Sequence, residues 1–165
     1  MGQSGYYDDE GDPVEGDFAH MIEKRVLPKH ILELPLYKNV PCSPKRKGCT
    51  SMIITKEHEK NAEIRRKYMV GHSTKIWQEV KKIAKKDEYY AQDFVIAGIA
   101  LYLARGWRST RRLPGKLPEK FPPGMKRAAL RASNRELKNF DNHEKWVNIK
   151  ERKKALRKQI LLFSS

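Results

Sequence analysis

The chain has 165 residues, 39% of them hydrophobic and 33% charged, with a mean hydropathy of -0.78 and only two cysteines. That is length for one domain, it argues against a large self-contained core, and it excludes a disulfide framework. The net charge is +15, but seven of the 20 acids fall in residues 1–23 without a single Lys or Arg, so the other 142 residues carry 35 bases against 13 acids, a net +22. A density of that kind repels itself unless a polyanion neutralises it. Nucleic acid is the first partner it implies and an anionic membrane surface the second.

Residues 1–23 are acidic and glycine-rich and read as a disordered tail in which Tyr6, Tyr7 and Phe18 could serve as anchors. They hold no apolar run of the secretory type, and Tyr6 stands where a myristoylation pattern needs Ser or Thr. Residues 24–55 read as an extended arm, because Pro28, Pro35, Pro41 and Pro44 interrupt any long helix. Its apolar positions, Val26, Leu27, Ile31, Leu32, Leu34, Leu36 and Tyr37, suit lying along another subunit, with a short helix allowed within residues 30–34. The basic loop PKRKG follows, flanked by Cys42 and Cys49. Their spacing matches no common zinc motif, and two reduced thiols are the expected state, although a hairpin-like loop would permit one disulfide in an oxidising compartment. TSMIIT, residues 50–55, reads as one short strand with no partner visible in the sequence.

Residues 56–106 form the expected helical body. A helix over residues 56–70 is capped by Thr55, opens with Glu57 and Glu59 and stops at Gly71. A second, beginning near Ser73, carries Ile76, Trp77, Val80, Ile83 and Ala84 as one stripe. The third is the most apolar stretch of the chain: residues 89–107, YYAQDFVIAGIALYLARGW, have no charge between Phe94 and Ala104. A helix apolar all round is enclosed by protein or by lipid. The uncharged run is short for a span and argues for a buried core helix, while Tyr89, Tyr90 and Trp107 sit where an aromatic belt would. Residues 107–124 read as an extended basic Pro/Gly connector. Residues 125–165 read as two basic helices, the first over residues 125–138 and the last opened by Asp141 and Glu144, with Trp146, Ile149, Leu156, Ile160 and Phe163 as its stripe.

The fold class expected is therefore mainly α: a small body of about four to five helices with long extended arms and a disordered acidic N-terminus. No nucleophile elbow, phosphate-cradling glycine loop, dinucleotide fingerprint or metal-binding histidine pair is present, and His20, His30, His58, His72 and His143 are scattered. The expectation is a non-enzyme with no cofactor and no metal.

The basic clusters form the candidate RNA-binding set. They are Lys45, Arg46 and Lys47 in the loop, and Arg65, Arg66 and Lys67 late in the first helix of the body. Arg108, Arg111 and Arg112 follow Trp107, which is placed to stack on an unpaired base. Lys126, Arg127 and Arg131 lie on the next helix, and Arg152, Lys153, Lys154, Arg157 and Lys158 on the last. Arg and Lys neutralise phosphate, and Arg adds bidentate contacts. In general style the chain resembles accessory proteins of organellar ribosomes, a likeness of composition that rests on no specific motif. It implies a structural protein of a mitochondrial-type ribosome, contacting rRNA and neighbouring proteins. The alternative is an accessory subunit of a mitochondrial inner-membrane respiratory complex, with residues 89–107 spanning or lying in the membrane. A filament-lining protein is a third, weaker reading.

Overall fold

The computed structural model describes Tyr7 and residues 13–86, 91–108, 112–140 and 148–165. The capping pair Asp141 and Glu144, the stripe residue Trp146, the aromatic flank Tyr89 and Tyr90, and Arg111 lie outside the described residues. A π-helical turn, Pro13–Phe18, leads into α1 (Ala19–Val26) and α2 (Lys29–Leu32). A two-stranded antiparallel ribbon follows, β1 (Lys38–Pro41) and β2 (Thr50–Ile53). The remaining helices are α3 (Lys56–Gly71), α4 (Ser73–Lys86), α5 (Gln92–Ala104), α6 (Pro123–Lys138) and α7 (Ile149–Ser164). The mainly helical class is as expected. The helix number is not: seven α-helices occur among the described residues, because α1 forms where a tail and an extended arm meet, and α2 forms about where the arm allowed a short helix.

The packing follows chain order. Helix α4 packs on α5, α5 on α6 and α6 on α7, while the π-turn and α1 lie over α5 and α4. Helix α5 is thus covered from several sides, and nine of its 13 residues are buried, from Val95 without interruption to Leu101 and then Leu103 and Ala104. This is why it can be apolar all round: its surroundings are protein. At 13 residues it runs about 20 Å, and no helix among the described residues is long and apolar enough to cross a membrane.

The second expectation corrected is the acidic tail. Part of it enters the core: Val14, Phe18, Ala19, Ile22 and, just beyond it, Val26 are all buried. Val14, Phe18, Ile22 and Val26 recur every fourth residue, a helical stripe interleaved with acids in the sequence. The connector before α6 is also folded back, with Leu113 and Leu117 packed against the core and Phe121 buried 6.4 Å from the ring of Phe163. The extended basic connector expected there is therefore packed on the body of the protein.

Local chemistry sets the helix ends. Thr55 caps α3 as expected, and His58 reciprocates: the Thr55 hydroxyl accepts from the His58 N–H at 3.4 Å and His58 Nδ1 accepts from the Thr55 N–H at 3.0 Å. Pro123 occupies the first turn of α6, where its missing N–H costs nothing. The next residue, Gly124, is required by closeness: a Cβ there would stand 2.8 Å from Trp77 Nε1 on α4. Helix α5 ends in two consecutive left-handed residues, Gly106 (φ 80°) and Trp107 (φ 62°). The Trp107 N–H donates to the Tyr102 carbonyl at 2.9 Å, and the indole turns back edge-on to the Tyr102 ring, 4.9 Å between centroids. Left-handed backbone at a bulky aromatic is strained, so the surrounding contacts must hold it.

TSMIIT does have a partner. Residues 50–53 pair with 38–41 in the register Lys38↔Ile53, Asn39↔Met52, Val40↔Ser51 and Pro41↔Thr50. One step beyond, Cys42 and Cys49 are joined in a disulfide with Cα atoms 5.5 Å apart, in place of the two reduced thiols expected. A two-stranded ribbon is marginal in water by itself, and the covalent link across the base of its turn holds it.

Candidate polyanion interface

The cations fall into three groups. The first faces solvent. On α6, Arg127, Arg131 and Lys138 line the side opposite the buried Met125, Ala129, Ala132 and Ser133. On α7, Lys150, Lys154, Arg157 and Lys158 line the side opposite Arg152, Ala155, Leu156, Gln159 and Phe163. Positions four and seven or eight apart share a helix face, so each group is a continuous stripe on adjacent helices. Among the described residues the acidic complement there is thin: Glu136 is taken by Arg152, and Glu151 stands 4.0 Å from Lys154. Lys45, Arg46 and Lys47 are exposed at the turn of the β-ribbon, and Lys67 and Arg112 are exposed as well.

The second group is half-buried and partly committed. Arg66 grips Glu63 with Nε at 3.0 Å and a terminal nitrogen at 2.9 Å, and Arg108 reaches the same carboxylate oxygen at 2.5 Å. The Arg66 hydrogen bond, reinforced by the Arg108 charge, holds the Glu63 carboxyl below its ordinary value. Lys126 donates to the Ser165 carbonyl, and Lys153 lies 5.4 Å over the ring of Phe140.

The third group corrects the sequence reading. Arg65, Trp107 and Arg152 are buried, so none of them reaches an external phosphate or base in this fold. Arg65 is wedged between α1 and the α2 turn, donating to the carbonyls of Leu32 and, at 3.2 Å, Leu34, with Glu23 at 3.7 Å. Trp107 donates its indole N–H to Glu23 at 2.8 Å. Arg152 is fully enclosed, pairs with Glu136 of α6 and donates to Gln159 at 3.4 Å, and Gln159 in turn donates to Ser133 at 3.3 Å. Spacing could have exposed Arg152, since it lies three, four and seven positions before Ala155, Leu156 and Gln159 on the inward face. No local signal marks Arg65, whose partners come from other elements.

One basic surface was not included in the sequence-derived set. Helix α4 shows Lys75, Lys81, Lys82, Lys85 and Lys86 to solvent. Glu79 is its acidic counterweight, bound by Lys82 at 3.0 Å and by Arg25 of α1 at 3.2 Å, and these contacts, Lys82 first, hold its carboxyl below the ordinary value. KKIAKK was the available signal.

Among the described residues no group of three His, Cys, Asp or Glu is gathered to hold a metal. Comparison with protein-family models, curated proteins and solved structures finds no match to this chain.

Proposed function

We propose that this chain is a non-enzymatic structural protein of a large ribonucleoprotein, of the mitochondrial ribosome type, seated on rRNA through the basic stripes of α6 and α7 and in contact with neighbouring proteins. The supporting observation is the pair of solvent-facing cationic stripes, Arg127, Arg131 and Lys138 beside Lys150, Lys154, Arg157 and Lys158, with little acid to offset them. Phosphate neutralisation by such a surface reads shape and charge, and its affinity falls steeply with salt. The test is binding of the full chain to a structured RNA across a salt series. Replacing Arg127, Arg131, Arg157 and Lys158 by Ala should reduce the slope of log affinity against log salt by about 3 to 4, nearly one per cation removed. An unchanged slope, or wild-type binding indifferent to salt, refutes the reading.

The Cys42–Cys49 disulfide favours a second reading, an accessory subunit of a mitochondrial inner-membrane complex, because disulfides persist in oxidising compartments. With α5 enclosed in protein, membrane association would come through protein partners or the basic surface. Nuclease releases the protein from its native particle under the first reading, and detergent alone releases it under the second.

A further inference from the structure

The β-ribbon has two outer edges, and they are built differently. The Cys42 N–H donates inward to the Cys49 carbonyl at 3.1 Å, which sets the parity of both strands. Alternation then turns Val40 and Lys38 inward on β1 and Ser51 and Ile53 inward on β2, so the backbone groups of Asn39 and Pro41, and of Thr50 and Met52, face outward. Pro41 fits this parity, since an outward position is where a missing N–H costs no ladder bond. It also blunts the β1 edge. The β2 edge has no such protection: residues 50–55, TSMIIT, contain neither charge nor proline, and the sheet among the described residues ends at β2. Edges left this way invite another strand.

The side chains agree. By the register, Tyr37, Met52 and Ile54 share one face of the ribbon, and they are 51%, 62% and 57% exposed. The ends of the edge are cationic: Lys45, Arg46 and Lys47 precede β2 and Lys56 follows it, and residues 38–56 include no acid at all. We propose that the outer edge of β2 is a docking edge for an extended strand of a neighbouring protein, uncharged at its centre and acidic at its ends. Its backbone pairs with Thr50, Met52 and Ile54, its apolar side chains lie beside Met52 and Ile54, and its carboxylates meet Lys45 to Lys47 at one end and Lys56 at the other. Charge decides the occupant. A nucleic acid would answer the lysines and leave the backbone edge and the apolar face unused. A second copy would bring its basic turn to an end where Lys56 and Lys60 are offset only by Glu57 and Glu59, a weaker match than a strand with carboxylates at both ends. The inference is independent of the RNA reading, which rests on α6 and α7.

The experiment is amide hydrogen exchange on the oxidised full chain with two end-blocked synthetic peptides, Asp-Asp-Thr-Val-Thr-Val-Asp-Asp and the same sequence with Lys replacing Asp. The acidic peptide at about 1 mM should slow exchange at Thr50, Met52 and Ile54 by about tenfold, and the basic peptide should not. Met52→Pro removes an outward N–H while sparing the inner ladder, so it should abolish the slowing with the helical circular dichroism unchanged. Replacing Lys45, Arg46 and Lys47 together by Glu, at exposed turn positions, should reverse the preference to the basic peptide. Absence of slowing with the acidic peptide overturns the proposal, as does equal slowing by both peptides. Slowing that grows with protein concentration alone overturns it in favour of a second copy, and slowing by an RNA oligomer but not by peptide overturns it in favour of nucleic acid.

Discussion

Trp107 donates its indole N–H to Glu23 Oε1 at 2.8 Å, joining residues 84 positions apart, and the other oxygen of the same carboxylate stands 3.7 Å from Arg65. One acid of the N-terminal segment thereby links α1, the middle of the chain and the left-handed turn after α5. The bond also explains how a tryptophan is held at φ 62°. Trp107→Phe keeps the ring in the core and removes the donor, leaving a mostly buried carboxylate oxygen short of a partner. It should cost about 1–3 kcal/mol in urea unfolding. A loss below about 0.5 kcal/mol would mean that the bond does not hold the turn.

Arg152 and Lys158 test the division between inward and outward cations. Arg152→Ala leaves Glu136 without its buried partner and should destabilise by about 3 kcal/mol or more while leaving the salt slope of RNA binding alone. Lys158→Ala should do the reverse, with thermal stability within about 0.5 kcal/mol of wild type and a slope lowered by nearly one unit.

Gly124→Ala drives a methyl into the Trp77 indole and should cost about 1–3 kcal/mol, with a shift in tryptophan emission. Trp77→Leu alone should be milder. Combining the two should recover part of the Gly124→Ala loss, because the clash is gone, and strict additivity of the two losses would contradict the close approach.

Asp93 receives two hydrogen bonds from Arg135 of α6, at 2.7 and 2.6 Å, and sits in the first turn of α5 where the helix dipole favours an acid. Arg135 is more than half exposed, so the bidentate pair is worth about 1 kcal/mol, and Asp93→Leu should lower stability by that amount. Since α5 is enclosed in protein, the substitution should not increase retention in the membrane pellet on alkaline carbonate extraction.

Acid should loosen the contacts that Glu63 and Glu79 make. Both carboxyls titrate below their ordinary 4.5 in the folded protein, so the stability they contribute is fully present above that value and is lost as pH falls below it. Replacing both with Gln should leave a fold that is weaker at neutral pH and less sensitive to acid below about pH 4.5, read from melting temperatures across a pH series.

The sequence alone placed α3 and the start of α4 to within a residue or two and singled out α5 as a helix without a polar face, to be enclosed by protein or by lipid. Caps at Thr55, a stop near Gly71 and an apolar stripe from Ile76 to Ala84 are local signals, set by spacing along one element. The apolar character of α5 is the same kind of signal, an uncharged run of 11 residues from Phe94 to Ala104 whose shortness argues for a protein setting over a bilayer. What the tertiary structure decided is which charged and apolar side chains outside that core face inward. The segment up to residue 23 looks like a solvated tail because it is acidic, glycine-rich and without a continuous apolar run, yet Val14, Phe18, Ile22 and Val26 find α4 and α5. Thr50 to Ile53 looks partnerless because its ladder is built from Lys38 to Pro41, across an eight-residue basic turn and on a strand that itself ends in proline. Arg65, Trp107 and Arg152 look like phosphate contacts because residue type is all a sequence displays. Their placement depends on carboxylates and carbonyls brought from other elements, and burying a charge is favourable only where such partners already wait.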